Sequence, residues 1–255
     1  MSGAWTGRRF AILMPWGRVG SNLVVGVFNE AAGVPLLNEP TTRIRGTAAA
    51  VGPFAADREQ LDFLAAFPAP ADFVNGDPAV GVAGVKLTHT SFLSPMGAYE
   101  ALAAGGYRIA AMDRRDHLRA AVSQLRAEQR RADKGGRRGA WAVKAGERKP
   151  GPTALDPALL LHRAGAFEIR SRAMHDYLAA LIPAERVIHV EYADLSADPE
   201  GTIRGIADHV GVALPDRFAL PHRKATSDDL REDVLNYDEV RAAAAGTPFE
   251  RFLDD

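Results

Sequence analysis

Residues 9–30 read Arg-Phe-Ala-Ile-Leu-Met-Pro-Trp-Gly-Arg-Val-Gly-Ser-Asn-Leu-Val-Val-Gly-Val-Phe-Asn-Glu, and no other stretch restricts the chain so strongly. Phe10 to Met14 is an unbroken apolar run, the pattern of a strand buried on both faces. Pro15 to Gly20 is a glycine-bearing turn with a single cation, Arg18. From Ser21 onward Leu23, Val24, Val27 and Phe28 recur at helical spacing, and Ser21 is a suitable N-cap. A strand that runs through a glycine turn into a helix start makes an anion site, because amide N–H groups and the positive helix end converge there. A Walker A loop would need a lysine directly before the Ser/Thr, and here that position is Gly20.

The rest of the chain repeats the alternation. Gly33 to Pro40 reads as a turn and a short second strand with Glu39 at its end, and Asp57 to Phe67 as a helix. Gly84 to His89 is a third strand, Met96 to Ala104 a helix, Tyr107 to Met112 a fourth strand and His117 to Arg131 a helix. A long helix follows from Pro157 to Leu181, then a strand from Arg186 to Tyr192. Asp198-Pro199-Glu200 caps a further helix that Gly211 ends. The polar tail from Pro221 holds two or three short helical stretches. Alternation of this kind predicts an α/β fold with a central parallel sheet flanked by helices. Ligands of such sheets bind beyond the carboxyl ends of the strands, where Arg18, Glu39, His89 and Arg115 all fall.

At 255 residues and 47% hydrophobic the chain suits a single domain spanning 1–255, with a basic, flexible insertion at about 132–157. That insertion is rich in Gly, Lys, Arg and Pro, and a lid or acceptor-binding loop is its functional reading. A net charge of −1 gives no pull toward nucleic acid, and the absence of cysteine fits a reducing compartment. Neither a signal-peptide core in the first nine residues nor an 18-residue apolar run is found, so no membrane span and a cytoplasmic location are expected.

Arg18-Val-Gly-Ser-Asn-Leu23 resembles the 5′-phosphosulfate loop of sulfotransferases that use 3′-phosphoadenosine 5′-phosphosulfate (PAPS). Three further stretches are similar to that family. Arg115 followed eight residues later by Ser123 resembles its 3′-phosphate motif, in which a guanidinium fork and a hydroxyl share one phosphate. Val190 to Glu200 resembles its Tyr-Glu-Asp-Leu…Asp-Pro-Glu segment. Arg223-Lys224-Ala-Thr-Ser227 with Asn236 to Val240 resembles the C-terminal region of bacterial members. The chain departs from the pattern where Trp16-Gly17 separate Pro15 from Arg18, and where Val19 replaces the usual Ser or Thr.

The resemblance implies a P-loop-NTPase-like three-layer domain that moves a sulfonate from PAPS to a hydroxyl and releases PAP, the 3′-phosphoadenosine 5′-phosphate. Gly17, Arg18, Val19, Gly20, Ser21 and Asn22 would hold the 5′ end, Arg115 and Ser123 the 3′-phosphate, and Tyr192 would lie near the adenine. Arg223 and Lys224 would close over the 3′-phosphate. Arg18 is the expected catalytic cation. Glu39 and His89 are the two candidates for the base, with Glu39 favoured, and Lys86 could assist. No metal is required, since protein cations offset the charge, and the acceptor is expected to be a small molecule or carbohydrate. A P-loop-like small-molecule kinase and a non-catalytic polyanion-binding module are the alternatives; the missing Gly-Lys-Ser/Thr counts against the first.

Overall fold

Both faces of the first strand are covered, which is why it holds no polar residue in its second half. In the computed structural model, which describes residues 7–67, 81–133, 143–144, 150–223, 226–227 and 229–253, β1 (Arg8–Met14) directs Phe10, Ile12 and Met14 to one face and Ala11 and Leu13 to the other. The chain continues through α1 (Ser21–Ala31), β2 (Leu36–Asn38), α2 (Pro40–Val51), α3 (Pro53–Ala66), β3 (Val82–Thr88), α4 (Pro95–Ala104) and β4 (Arg108–Asp113). After these come α5 (His117–Asp133), β5 (Val143–Lys144), α6 (Pro157–Leu181), β6 (Val187–Glu191), α7 (Tyr192–Ala197), α8 (Pro199–Val210), β7 (His222–Arg223) and α9 (Tyr237–Ala244). The described chain divides into two compact units, Met1–Asp113 with Arg170–Ala219, and Arg114–Ile169 with Leu220–Asp255.

The first unit holds a five-stranded sheet in the order β2-β3-β1-β4-β6, every pairing parallel. On one face Val24, Val27 and Phe28 of α1 and Ile203, Ile206 and Val210 of α8 pack on Phe10, Ile12 and Met112. On the other, Leu64 of α3, Leu102 of α4 and Met174 and Leu178 of α6 pack on Leu13, Val85 and Ile109. This is a three-layer α/β arrangement, with β1 at the centre of the sheet and the glycine turn at its carboxyl end. Close packing has a visible cost at Gly84 of β3: a Cβ there would lie 2.1 Å from the Phe10 ring, which stands edge-on to Phe28 at 5.7 Å. Only glycine lets that ring lie across the strand.

The second unit is tied by buried polar groups. Asp116 caps α5 by accepting from Arg119 N at 2.7 Å. Arg126 of α5 is buried, ion-paired with the equally buried Asp233, and donates from Nη2 to the carbonyls of Pro150 (3.0 Å) and Gly151 (2.8 Å). Asp233 also accepts from Ser227 N at 2.7 Å. β5 pairs antiparallel with β7, Val143 opposite Arg223, so the described centre of the basic insertion meets the start of the Arg223 loop. Most of that insertion, 134–142 and 145–149, and Lys224 lie outside the described residues.

One local reading of the sequence is corrected, and two helices are added to it. Ser21 is not the N-cap of α1: the cap is Gly20, left-handed at φ 79°, ψ 1°, and no side chain caps the helix. Ser21 instead is buried and donates its hydroxyl to Met14 Sδ at 3.1 Å. Pro40–Val51 is a helix although the sequence shows no apolar periodicity there; only Pro40 and Thr41 are buried. The Tyr192–Ala197 segment, read as a motif, is a one-and-a-half-turn helix.

Candidate active site

In the first unit the turn after β1 carries two positive-φ residues, Arg18 (75°) and Gly20 (79°). Glycine accepts that conformation freely, whereas for an arginine it is uncommon. A Cβ on Gly20 would lie 2.5 Å from Leu195 Cδ2 and 3.4 Å from the Tyr192 ring, so α7 is packed directly on the turn. Tyr192, expected near the nucleotide, is therefore a neighbour of the glycine loop. The first turn of α1 has no side-chain cap and no acidic residue, which leaves its amide donors and positive dipole end uncompensated from within the helix.

Facing this turn is a buried lysine. Lys86 belongs to β3 and shares its face with Gly84, the face covered by α1. Its Nζ lies 2.8 Å from Glu39 Oε1 and donates to Asn22 Oδ1 at 2.7 Å, and its side chain is only 4% exposed. An ammonium has three donors, and the third has no partner among the described residues. Lysines are almost never this buried unless paired, so the Asn22 and Glu39 contacts are what make the position tolerable.

Glu39 follows β2 and is itself left-handed, at φ 51° and ψ 50°, with Pro40 next in the chain. That conformation is disfavoured both for a non-glycine residue and for one preceding proline. It is held by Glu39 N donating to Lys86 O at 3.0 Å and by the Lys86 ion pair. Behind it lies a fully paired amide. Gln60 of α3, buried, donates to the carbonyls of Thr41 and Ser91, each at 2.8 Å, and accepts from Leu93 N at 3.0 Å. Thr41 Oγ1 and Ser91 Oγ are 2.7 Å apart, and Ser91 Oγ donates to Thr88 O at 2.6 Å. The segment after β2 and the segment after β3 are thus pinned to one side chain.

His89 begins the turn after β3 and is buried among Phe92, Tyr99 and Tyr177, its Nδ1 3.0 Å from the Tyr99 hydroxyl. Burial, assisted by the charge of Arg170, pushes its pKa below the ordinary 6.5. A histidine whose native pKa is depressed binds its proton more readily when unfolded, so its contribution to stability is complete above about pH 6.5 and is lost as pH falls through the lowered native value. Thermal unfolding followed between pH 7.5 and 5 should therefore show wild type losing stability relative to His89→Gln as the pH drops; a difference in Tm that stays constant would rule the shift out.

In the second unit, Arg115 is exposed just before α5, Ser123 is buried in the helix, and the neighbouring Arg114 is buried. The sequence singled out Arg115 by its spacing to Ser123 and passed over Arg114. Two residues, Lys86 and Tyr99, hold more of the geometry than sequence reasoning assigned to them. A lysine inside an apolar strand was a legible signal for the first; the second had none.

A model of the sulfotransferase family matches residues 148–216, a span that includes the Val190–Glu200 segment beside the glycine loop. No curated protein matches the chain. Among solved structures, a sulfotransferase from Alicyclobacillus acidocaldarius is 13% identical over 96% of this chain and 95% of its own, with a TM-score of 0.48. The sulfotransferase domain of the curacin biosynthetic pathway is 12% identical over 82% and 76%, TM-score 0.45. That of the Synechococcus PCC 7002 olefin synthase is 14% identical over 94% and 88%, TM-score 0.44. The segment 148–216 is thus similar to the sulfotransferase family. Among the described residues no helix is long and apolar enough to cross a membrane, and no group of three or more His, Asp or Glu side chains is placed to hold a metal ion.

Proposed function

We propose that this chain is a cytoplasmic, PAPS-dependent sulfotransferase that modifies a hydroxyl of a small-molecule or carbohydrate acceptor by in-line displacement. The observation that carries the reading is Lys86: a buried ammonium with one spare donor, bonded at once to the first turn of an uncapped helix and to a carboxylate. A helix end alone could hold many anions. A cation and a carboxylate fixed beside it supply the two opposite functions that group transfer to a hydroxyl needs.

PAPS supplies the sulfonate. The backbone from Gly17 to Asn22 binds the 5′-phosphosulfate, with Arg18 and Lys86 offsetting the negative charge that develops on the phosphate-side oxygen. Glu39 takes the proton of the acceptor hydroxyl. Tyr192 packs on the adenine. Within the second unit, Arg115 and Ser123 bind the 3′-phosphate, helped by Arg223 and Lys224. Calorimetric titration with PAP and, separately, with ATP–Mg²⁺ tests the assignment. PAP is expected to bind at least about tenfold more tightly, a difference of about 1.4 kcal/mol. Preference for ATP–Mg²⁺ would make the chain a kinase, and binding of neither would leave it without a nucleotide substrate; both results overturn the proposal.

A further inference from the structure

We infer that Tyr99 is a positioning residue that holds His89 as the neutral tautomer with its proton on Nε2, making His89 a hydrogen-bond donor and leaving proton acceptance to Glu39. Tyr99, on α4, is fully buried, and its ring stacks on Tyr177 at 5.1 Å and 18°. Its hydroxyl has one hydrogen-bond partner among the described residues, His89 Nδ1 at 3.0 Å. A phenol carries a single proton to donate, and a buried donor without an acceptor is costly. Were Nδ1 protonated, it would donate to the phenol oxygen, and the phenolic proton would be left without an acceptor among the described residues. The arrangement that satisfies both groups has Tyr99 donating and Nδ1 accepting.

A neutral imidazole with Nδ1 accepting carries its hydrogen on Nε2. Charging the ring would place a proton on Nδ1 as well and orphan the phenol again, so the same contact opposes the imidazolium. Burial favours the neutral form of both partners, lowering the pKa of His89 and raising that of Tyr99 far above its ordinary value, which keeps the phenol protonated. Nε2 has no hydrogen-bond partner among the described residues. It therefore presents an N–H, suited to an oxygen of the acceptor or of the sulfonate. The tautomer stands on this geometry alone; what the N–H donates to rests on the proposed function.

The test needs neither nucleotide nor acceptor. Two-bond ¹H–¹⁵N correlation spectra of the labelled protein at pH 7.5, with His89 identified by its loss in His89→Gln, report which nitrogen is protonated. The expected pattern is a protonated Nε2 and a bare Nδ1, with a slowly exchanging Tyr99 hydroxyl proton coupled to Nδ1. Tyr99→Phe is expected to shift the His89 signals toward a mixture of tautomers. A protonated Nδ1 in wild type overturns the inference, as does an unchanged Nε2–H pattern in a folded Tyr99→Phe. Should that variant not fold, the wild-type spectrum still decides. A locked tautomer in a chain that binds no PAP would sink the proposed function and leave this inference standing; a bound PAP with the opposite tautomer would do the reverse.

Discussion

Glu39→Gln should lower kcat by about 10²–10⁴-fold, the range over which a general base contributes. Glutamine keeps the side chain's length and a carbonyl oxygen for Lys86, so the ion-pair geometry is largely preserved while proton acceptance is lost. The backbone argues for the same residue. A non-glycine residue at φ 51° before a proline is strained, and such strain persists where the surroundings over-determine it, most often at sites of function. Here the over-determining contacts are the Glu39 amide on Lys86 O and the Lys86 ammonium on the carboxylate. Steady-state kinetics at saturating PAPS decide the matter, and turnover within about threefold of wild type would remove Glu39 from the chemistry. A wild-type Tm in the variant would show that the loss is one of reactivity.

Lys86→Met should cost about 10²–10³-fold in kcat, the scale on which one fixed stabiliser of transition-state charge is removed. Methionine keeps the unbranched length of the lysine side chain without its charge, so the fold should survive; Glu39, about one-third exposed, can be hydrated when its partner is gone. The affinity for PAP should change less than turnover, because the loop amides remain. Equal losses in both would make Lys86 a binding cation, and Arg18→Ala would then be the variant expected to show the turnover defect.

The sheet was legible because burial on both faces writes itself into sequence as unbroken apolar runs, in β1 and β4 above all. α6 was legible to the residue through its Pro157 start. α2 was not, because a helix with Pro40 and Thr41 as its only buried positions leaves no stripe to read. The N-cap of α1 was misread since Ser21 has the right chemistry for a cap but spends its hydroxyl on Met14, while Gly20 supplies the left-handed turn. At the site, the strand-end positions of Arg18, Glu39 and His89 followed from alternation alone. The bond from Lys86 to Asn22 and the bond from Tyr99 to His89 did not, since each depends on how a helix seats against the end of β3.

Gln60 sets the size of the part that could be exchanged between proteins of this kind. Its one amide is bonded to the backbone beyond the ends of two strands, at Thr41 after Glu39 and at Ser91 and Leu93 after His89. A graft that replaced only the loop following Glu39, in the hope of a new acceptor preference, would inherit a staple cut for the old one. The smallest unit that carries its own fastening runs from Glu39 through Leu93, since that span holds Gln60 together with every backbone group it ties.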